Sequence, residues 1–160
     1  ERLIIMKKLI AYFSPSGNTK AMAEKLAKAT GADLFEIKPQ TPYTRADLDW
    51  TNKNSRSSVE MNDKSFRPQI AQLPNSLADY DTIFIGFPIW WYVAPTIINT
   101  FVENVDLDGK KVIPFATSGG SGMGKTLANL KPSCPGANWV EGKVINGMSE
   151  KALADWAEKL

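Results

Sequence analysis

The chain has 160 residues, 43 % apolar and 22 % charged, with a net charge of +2. This fits a single domain over residues 1–160 and offers no charge excess to argue for nucleic acid. No stretch approaches the roughly 18 apolar residues of a membrane span, so no membrane role is expected. In chain order, residues 1–5 precede Met6 and read as an upstream extension or a cloning remnant, with an export signal already removed as the open alternative. KKLIAYFS (7–14) is an apolar run that ends in a turn. NTKAMAEKLAKATG (18–31) spaces Ala23, Leu26 and Ala27 along one helical face and stops at Gly31. ADLFEIKP (32–39) alternates as a short strand. The polar stretch 40–80 carries Arg45, Arg56 and Arg67 with Tyr43, Trp50 and Phe66. A helix around 45–63 with long connections is expected there, and the stretch reads equally as a solvated linker or as a flap over a ligand.

DTIFIGFP (81–88) and KKVIPFATSGG (110–120) are continuous apolar runs. Each is followed by a helical segment, APTIINTFVENV (94–105) and GKTLANLK (124–131). GANWVEGKVIN (136–146) offers a weak last strand. SEKALADWAEKL (149–160) is an amphipathic helix with Ser149 as N-cap and Leu153, Trp156 and Leu160 as its apolar stripe. Strands alternate with helices, and three strands are apolar throughout, as when both sheet faces are covered. The pattern predicts an α/β, doubly wound three-layer sandwich around a parallel sheet.

Histidine is absent and Cys134 is the one cysteine. Ser-His-Asp and Cys-His catalysis are removed, along with the commonest metal ligand. No catalytic residue and no metal site is assigned, and hard chemistry would come from a bound cofactor. Cys134, in the turn-like PSCPG, reads as a structural thiol. Ser118 to Thr126, SGGSGMGKT, fits the phosphate-loop pattern G-x-x-x-x-G-K-[ST] through Gly119, Gly124, Lys125 and Thr126. Its context opposes that reading. The one strand expected after Thr126 ends in no aspartate that could hold Mg²⁺.

In an open parallel sheet, ligands bind beyond the carboxyl ends of the strands. Three loops lie there. SPSGNT (14–19) joins a strand directly to a helix, with Ser14, Ser16, Asn18 and Thr19 offering polar groups and Gly17 allowing close approach. With the helix N-terminus behind it, such a loop can hold a phosphate without a cationic side chain. PIWWYVAP (88–95) places Trp90, Trp91 and Tyr92 in a turn, where all three cannot face inward. TSGGSG (117–122) offers mainly backbone N–H groups. A phosphate site, an aromatic wall and backbone donors together fit a phosphorylated, flat heteroaromatic ring.

YFSPSGNT, GFPIWWYVAP and ATSGGSG, in this order and spacing, resemble the flavodoxin family from about Lys7 to Leu160. The nearest likeness is to a short flavodoxin-like branch with a P-x-W-W second loop and a W-x-E-G segment, here Trp139 to Gly142. The resemblance implies a five-stranded sheet in order 2-1-3-4-5 and bound FMN. It implies that Ser14, Ser16, Gly17, Asn18 and Thr19 hold the phosphate. Pro88, Ile89, Trp90 and Trp91 then line one side of the flavin ring. Thr117, Ser118, Gly119 and Gly120 line the other, meeting its pyrimidine edge through the backbone. Two features depart from the family pattern: residues 88–95 contain no glycine, and the chain is not acidic.

The function expected is an FMN-binding electron-transfer protein, cytoplasmic, a monomer or weak dimer, passing electrons between redox partner proteins. The alternative is an FMN-dependent NAD(P)H:quinone-type reductase capped by segment 40–80. Against the alternative, the G-x-G-x-x-G nucleotide fingerprint fails, because Gly120-x-Gly122 is followed by Lys125. Two further readings, a phosphate-loop hydrolase and a flavin-free interaction module, fit the three loops less well.

Overall fold

The computed structural model describes residues 6–160, so the expectation for residues 1–5 lies outside the described residues. The strands and helices run β1 (Lys7–Tyr12), α1 (Asn18–Thr30), β2 (Asp33–Glu36), α2 (Arg56–Met61), β3 (Tyr80–Pro88), α3 (Thr96–Asn104), β4 (Lys111–Thr117), α4 (Thr126–Leu130), β5 (Asn138–Trp139), β6 (Lys143–Val144) and α5 (Glu150–Glu158). The strands form one parallel sheet in the order β2-β1-β3-β4-β5, with β6 also paired to β4. This is the expected doubly wound α/β sandwich. Among the described residues no helix is long and apolar enough to cross a membrane.

Strand alternation divides the core into two layers. Leu9, Ala11, Ile83, Ile85, Phe87, Val112 and Ala116 face one way and pack with Ile97, Ile98 and Phe101 of α3. Ile10, Tyr12, Phe84, Ile113 and Phe115 face the other way and pack with Met22, Ala23 and Leu26 of α1 and Leu153 of α5. Successive residues of a strand point to opposite faces, so apolar runs follow wherever helices cover both. Gly86 supplies room on the second face: a Cβ there would lie 2.1 Å from the Phe115 ring.

Helix ends follow their sequence signals. α1 stops at Gly31, whose φ of 74° is left-handed and whose N–H bonds the Ala27 carbonyl. At α5 the Ser149 hydroxyl accepts from the Ala152 N–H at 3.1 Å, the predicted N-cap. Leu153 is fully buried, and Trp156 and Leu160 pack beside it.

Two expectations change in detail. The last strand is two short pieces instead of one. Val112, Pro114 and Ala116 face this neighbour, since Val112 and Ala116 accept from Val140 and Ile145 at 2.9 Å. Pro114 has no N–H to give, and its carbonyl lies against Gly142, where a Cβ would come within 1.5 Å. The register slips by one residue there: Val112 pairs Trp139, but Phe115 pairs Lys143. The second change is in segment 40–80, where the helix covers only Arg56–Met61, not 45–63. Thr44, Asp47, Asp49 and Asn52 instead bond nearby backbone N–H groups at 2.9 to 3.1 Å. Such local bonds compete with a helix and favour turns.

Candidate functional site

The carboxyl ends of β1, β3 and β4 bring the three loops to one edge of the sheet. In the first loop Gly17 sits at the start of α1 with φ 93° and open space around it. The Ser14 hydroxyl accepts from the Lys20 N–H at 2.9 Å, so one first-turn donor is already used. The N–H groups of Asn18 and Thr19 have no partner among the described residues. Ser16, Gly17 and Asn18 are exposed, and the N-cap residue Gly17 has no side chain to cap the helix. Free backbone donors at the positive end of a helix dipole can hold an anion. Thr19 is buried and turns inward, its hydroxyl 2.8 Å from that of Thr117. That bond ties the first loop to the third.

The second loop is a two-residue hairpin. Trp90 and Val93 exchange backbone bonds at 2.9 and 3.2 Å, with Trp91 and Tyr92 at its tip. Their φ values are 49° and 68°. Turns of this kind favour asparagine and glycine, so two bulky residues there carry strain of order 1 kcal/mol or more each. The hairpin is braced from α4: the Lys125 N–H donates to the Tyr92 carbonyl at 3.3 Å. Gly124 lies so close that a Cβ would sit 2.3 Å from that carbonyl oxygen. Trp90 turns inward, edge-on to Phe13 at 5.7 Å and to Tyr43 at 5.6 Å. Trp91 and Tyr92 face outward, 44 % and 68 % exposed.

In the third loop Asn146 holds Ser118 from both sides. Its Oδ1 accepts from the Ser118 N–H and its Nδ2 donates to the Ser118 carbonyl, each at 2.8 Å. Ser118 Oγ accepts from the Gly120 N–H at 3.2 Å and lies 3.0 Å from Ser121 Oγ. The loop is therefore pre-shaped, and the N–H groups of Gly119, Ser121 and Gly122 have no partner among the described residues. The phosphate-loop resemblance in this segment dissolves structurally. Thr126 is fully buried, and its hydroxyl donates to the Met123 carbonyl at 2.5 Å, where it cannot serve a metal ion. Lys125 is exposed.

A cavity of about 370 Å³ lies over the second loop, lined by Ile89, Trp90, Trp91 and Tyr92, by Ser121, and by Leu48, Trp50 and Ser57. Leu48, Trp50 and Ser57 thus bring part of segment 40–80, the flap of one reading, to the wall of this cavity. The first-loop residues, Pro88 and Thr117 to Gly120 do not line this cavity. The Thr19–Thr117 bond ties the first loop to the third, and Phe13, which leads into the first loop, packs on Trp90 of the cavity wall.

The flap is anchored by a polar cluster. The Tyr43 hydroxyl donates to Glu60 Oε1 at 2.5 Å, and Arg56 Nε donates to Glu60 Oε2 at 3.0 Å. The Arg56 guanidinium also stacks 3.8 Å above the Tyr43 ring and donates to the Thr41 and Pro42 carbonyls. Burial, then the bond to Glu60, pushes the Tyr43 hydroxyl far above its ordinary value. The three flap arginines do not converge on the cavity. Arg56 serves the anchor, Arg67 pairs with Glu103 at 2.8 Å, and Arg45 is exposed.

Sequence reasoning missed Asn146, Leu48 and Ser57. Asn146 is a single amide at the end of a weak strand, with no pattern to mark it. Tyr43 and Trp50 carried a signal as aromatic residues in an otherwise polar stretch.

Comparison with known proteins agrees with this fold. A family model described as Flavodoxin matches residues 7–160. A candidate flavoprotein from Bacteroides eggerthii is 54 % identical, with a TM-score of 0.92 over 96 % of each chain. A flavoprotein from Lactobacillus acidophilus, solved in complex with FMN, is 26 % identical, with a TM-score of 0.70 over 96 % of this chain and 99 % of that one. The Escherichia coli protein YcaK, named an uncharacterized NAD(P)H oxidoreductase, is 29 % identical over 61 % of this chain. The aligned part covers only 45 % of that relative's length.

Proposed function

This chain belongs to the flavodoxin family of flavoproteins, and from that premise we propose that it is an FMN-binding electron-transfer protein passing electrons between redox partner proteins in the cytoplasm, as a monomer or weak dimer. The cofactor fits the donor set. The start of α1, with Ser14, Ser16, Gly17, Asn18 and Thr19, would hold the phosphate. Ile89, Trp90 and Trp91, beside Pro88, would face the ring, and Thr117 to Gly120 its pyrimidine edge. When bound, FMN supplies one- and two-electron transfer. The chain's part is to bind, orient and shield. Asn146 fixes the third loop, Trp90 is wedged between Phe13 and Tyr43, and Leu48, Trp50 and Ser57 of the flap form one wall.

One observation carries the carrier reading. The cavity is lined by aromatic, aliphatic and hydroxyl side chains, with no carboxylate, amine or thiol among them, leaving the Tyr92 phenol as its one side chain of general acid–base type. Electron transfer needs no such group, whereas most turnover chemistry does. The flap itself favours a second reading, an FMN-dependent NAD(P)H:quinone-type reductase, because a covered cavity suits a small substrate as well as a protein partner.

A visible spectrum of purified protein tests the cofactor. Two flavin bands are expected, or their appearance when FMN is added to colourless protein. Failure to bind FMN at micromolar levels overturns the proposal. Steady-state NADPH oxidation with a quinone separates the two readings. Turnover no faster than free FMN supports the carrier, and saturable turnover well above it supports the reductase.

A further inference from the structure

Beyond Trp91 and Tyr92 a second cavity opens, of about 850 Å³, between α3, α4 and the residues that follow α2. It shares Trp91 and Tyr92 with the first cavity, so the hairpin tip is a wall between the two. Its surface has two characters. Met61, Val93, Ala94 and Ala128 make an apolar surface. Lys64, Arg67 and Lys125 bring three positive charges, against the single carboxylate of Glu103. That carboxylate is already consumed. It accepts from Arg67 at 2.8 and 3.1 Å and from the Ser133 hydroxyl at 2.9 Å. The bond from Arg67 holds it below the usual carboxylate range. Lys64 and Lys125 are exposed and make no ion pair among the described residues.

Thr96 gives the independent observation. It lines this cavity at the first residue of α3 and is 7 % exposed. Its hydroxyl has no hydrogen-bond partner. A buried hydroxyl without a partner is costly, and such groups call for an explanation. α3 starts without a side-chain cap, so the positive end of its dipole lies at the same place. An unused donor, a helix N-terminus and two unpaired lysines beside an apolar surface match one chemistry. We propose that this groove is a second binding site, separate from the cofactor cavity, for an organic anion with a flat apolar body. The carboxylate or sulfonate group sits among Thr96, Lys64 and Lys125. The body lies over Ala94, Val93 and Ala128, against the outer face of the hairpin tip. Inorganic phosphate has the charge without the body, and a neutral aromatic alcohol has the body without the charge. Neither satisfies both halves of the site.

The test is calorimetric titration of the FMN-loaded protein, repeated on protein stripped of FMN, with 2-naphthoate as the probe. 2-Naphthalenemethanol and inorganic phosphate serve as comparison probes. Saturable binding of naphthoate below about 1 mM is expected in both forms, with both comparison probes roughly tenfold weaker. Because the groove is scored with and without FMN, a failure of cofactor binding leaves this result readable. Thr96→Val is the diagnostic variant. The lost hydroxyl had no partner, so the fold is expected to melt no lower than wild type, while naphthoate binds roughly fivefold or more weakly. Ala128→Trp, on the exposed face of α4, fills the groove and is expected to abolish binding with the flavin spectrum unchanged. The proposal is overturned if naphthoate does not saturate, if the neutral alcohol binds equally well, or if a folded Thr96→Val or Ala128→Trp protein binds it as wild type does.

Discussion

Single residues decide how the ring wall is held. Trp90, Trp91 and Tyr92 are adjacent in sequence, and nothing in their order says which faces inward. The hairpin geometry settles it, because left-handed φ angles at Trp91 and Tyr92 leave Trp90 to pack on Phe13 and Tyr43. Tyr43 is held in turn by Glu60, a buried carboxylate with few other partners. Replacing Tyr43 by Phe leaves Glu60 short of one donor, and at neutral pH is expected to cost about 1–3 kcal/mol. The same variant has a pH signature. The unfolded phenol ionises at its ordinary value of 10.0, whereas the folded one, raised by burial and by Glu60, keeps its proton well beyond that. Below pH 10 both states are protonated and the contribution is fully present. Above it the unfolded chain gives up the proton first, so stability falls as pH rises toward the folded value. Tyr43 is only partly buried, so the slope is discounted to roughly 1 kcal/mol per pH unit or less. Urea midpoints at about pH 8 and about pH 11 check this. Wild type is expected to lose more than Tyr43→Phe over that interval. Tyr12 and Tyr80 are also raised, Tyr80 to about 12 through its bond to Asp33, but both remain in the variant and cancel. Equal losses in the two proteins would show that Tyr43 has no part in the alkaline transition.

At the scale of elements, legibility followed periodicity. β1, β3 and β4 are apolar on both faces because α1 and α5 cover one side and α3 the other, and that double coverage is written directly as unbroken apolar runs. α1 and α5 carry their stop and start signals in Gly31 and Ser149. Where tertiary contacts overrode local pattern, the sequence was a poorer guide. The stretch 45–55 has helical spacing, but its Asp, Asn and Thr side chains bind the local backbone, and only the part beginning at Arg56 winds. The break between β5 and β6 depends on Pro114, a residue of the neighbouring strand, and no window on 136–146 alone contains that information. The break makes a sharp expectation. Gly142→Ala drives a methyl group into the Pro114 carbonyl and forces both pieces off β4. A loss of roughly 2–3 kcal/mol is expected, in the range for overpacking a buried site. Asn146, a few residues on, is then displaced from Ser118, so FMN affinity is expected to fall along with the urea midpoint. Unchanged stability would mean that the last strand does not lean on Pro114.

For the whole molecule, the three loops meet only because the sheet brings them to one edge, and the first and third lie about a hundred residues apart in the chain. The SGGSGMGKT segment shows why context outweighs a motif. Gly124 allows the hairpin carbonyl of Tyr92 to approach, and Thr126 is buried in a bond to Met123, so two of its signature residues serve the fold. The proposed anion site is the start of α1 instead, and ligand linkage separates the two assignments. A ligand that binds only the folded state stabilises it by about 2.7 kcal/mol at 100 times its Kd. For a chain of this size that corresponds to a rise in Tm of roughly 5–10 °C. FMN at such an excess is expected to give this rise. Riboflavin has the same ring without the phosphate and leaves the Ser14–Thr19 cradle empty, so its rise at equal concentration is expected to be clearly smaller. ATP with Mg²⁺ is expected to give none. Thermal melts with the three ligands read the outcome directly. Equal rises for FMN and riboflavin would take the phosphate out of the first loop, and a rise with ATP and Mg²⁺ would return it to Gly124–Thr126.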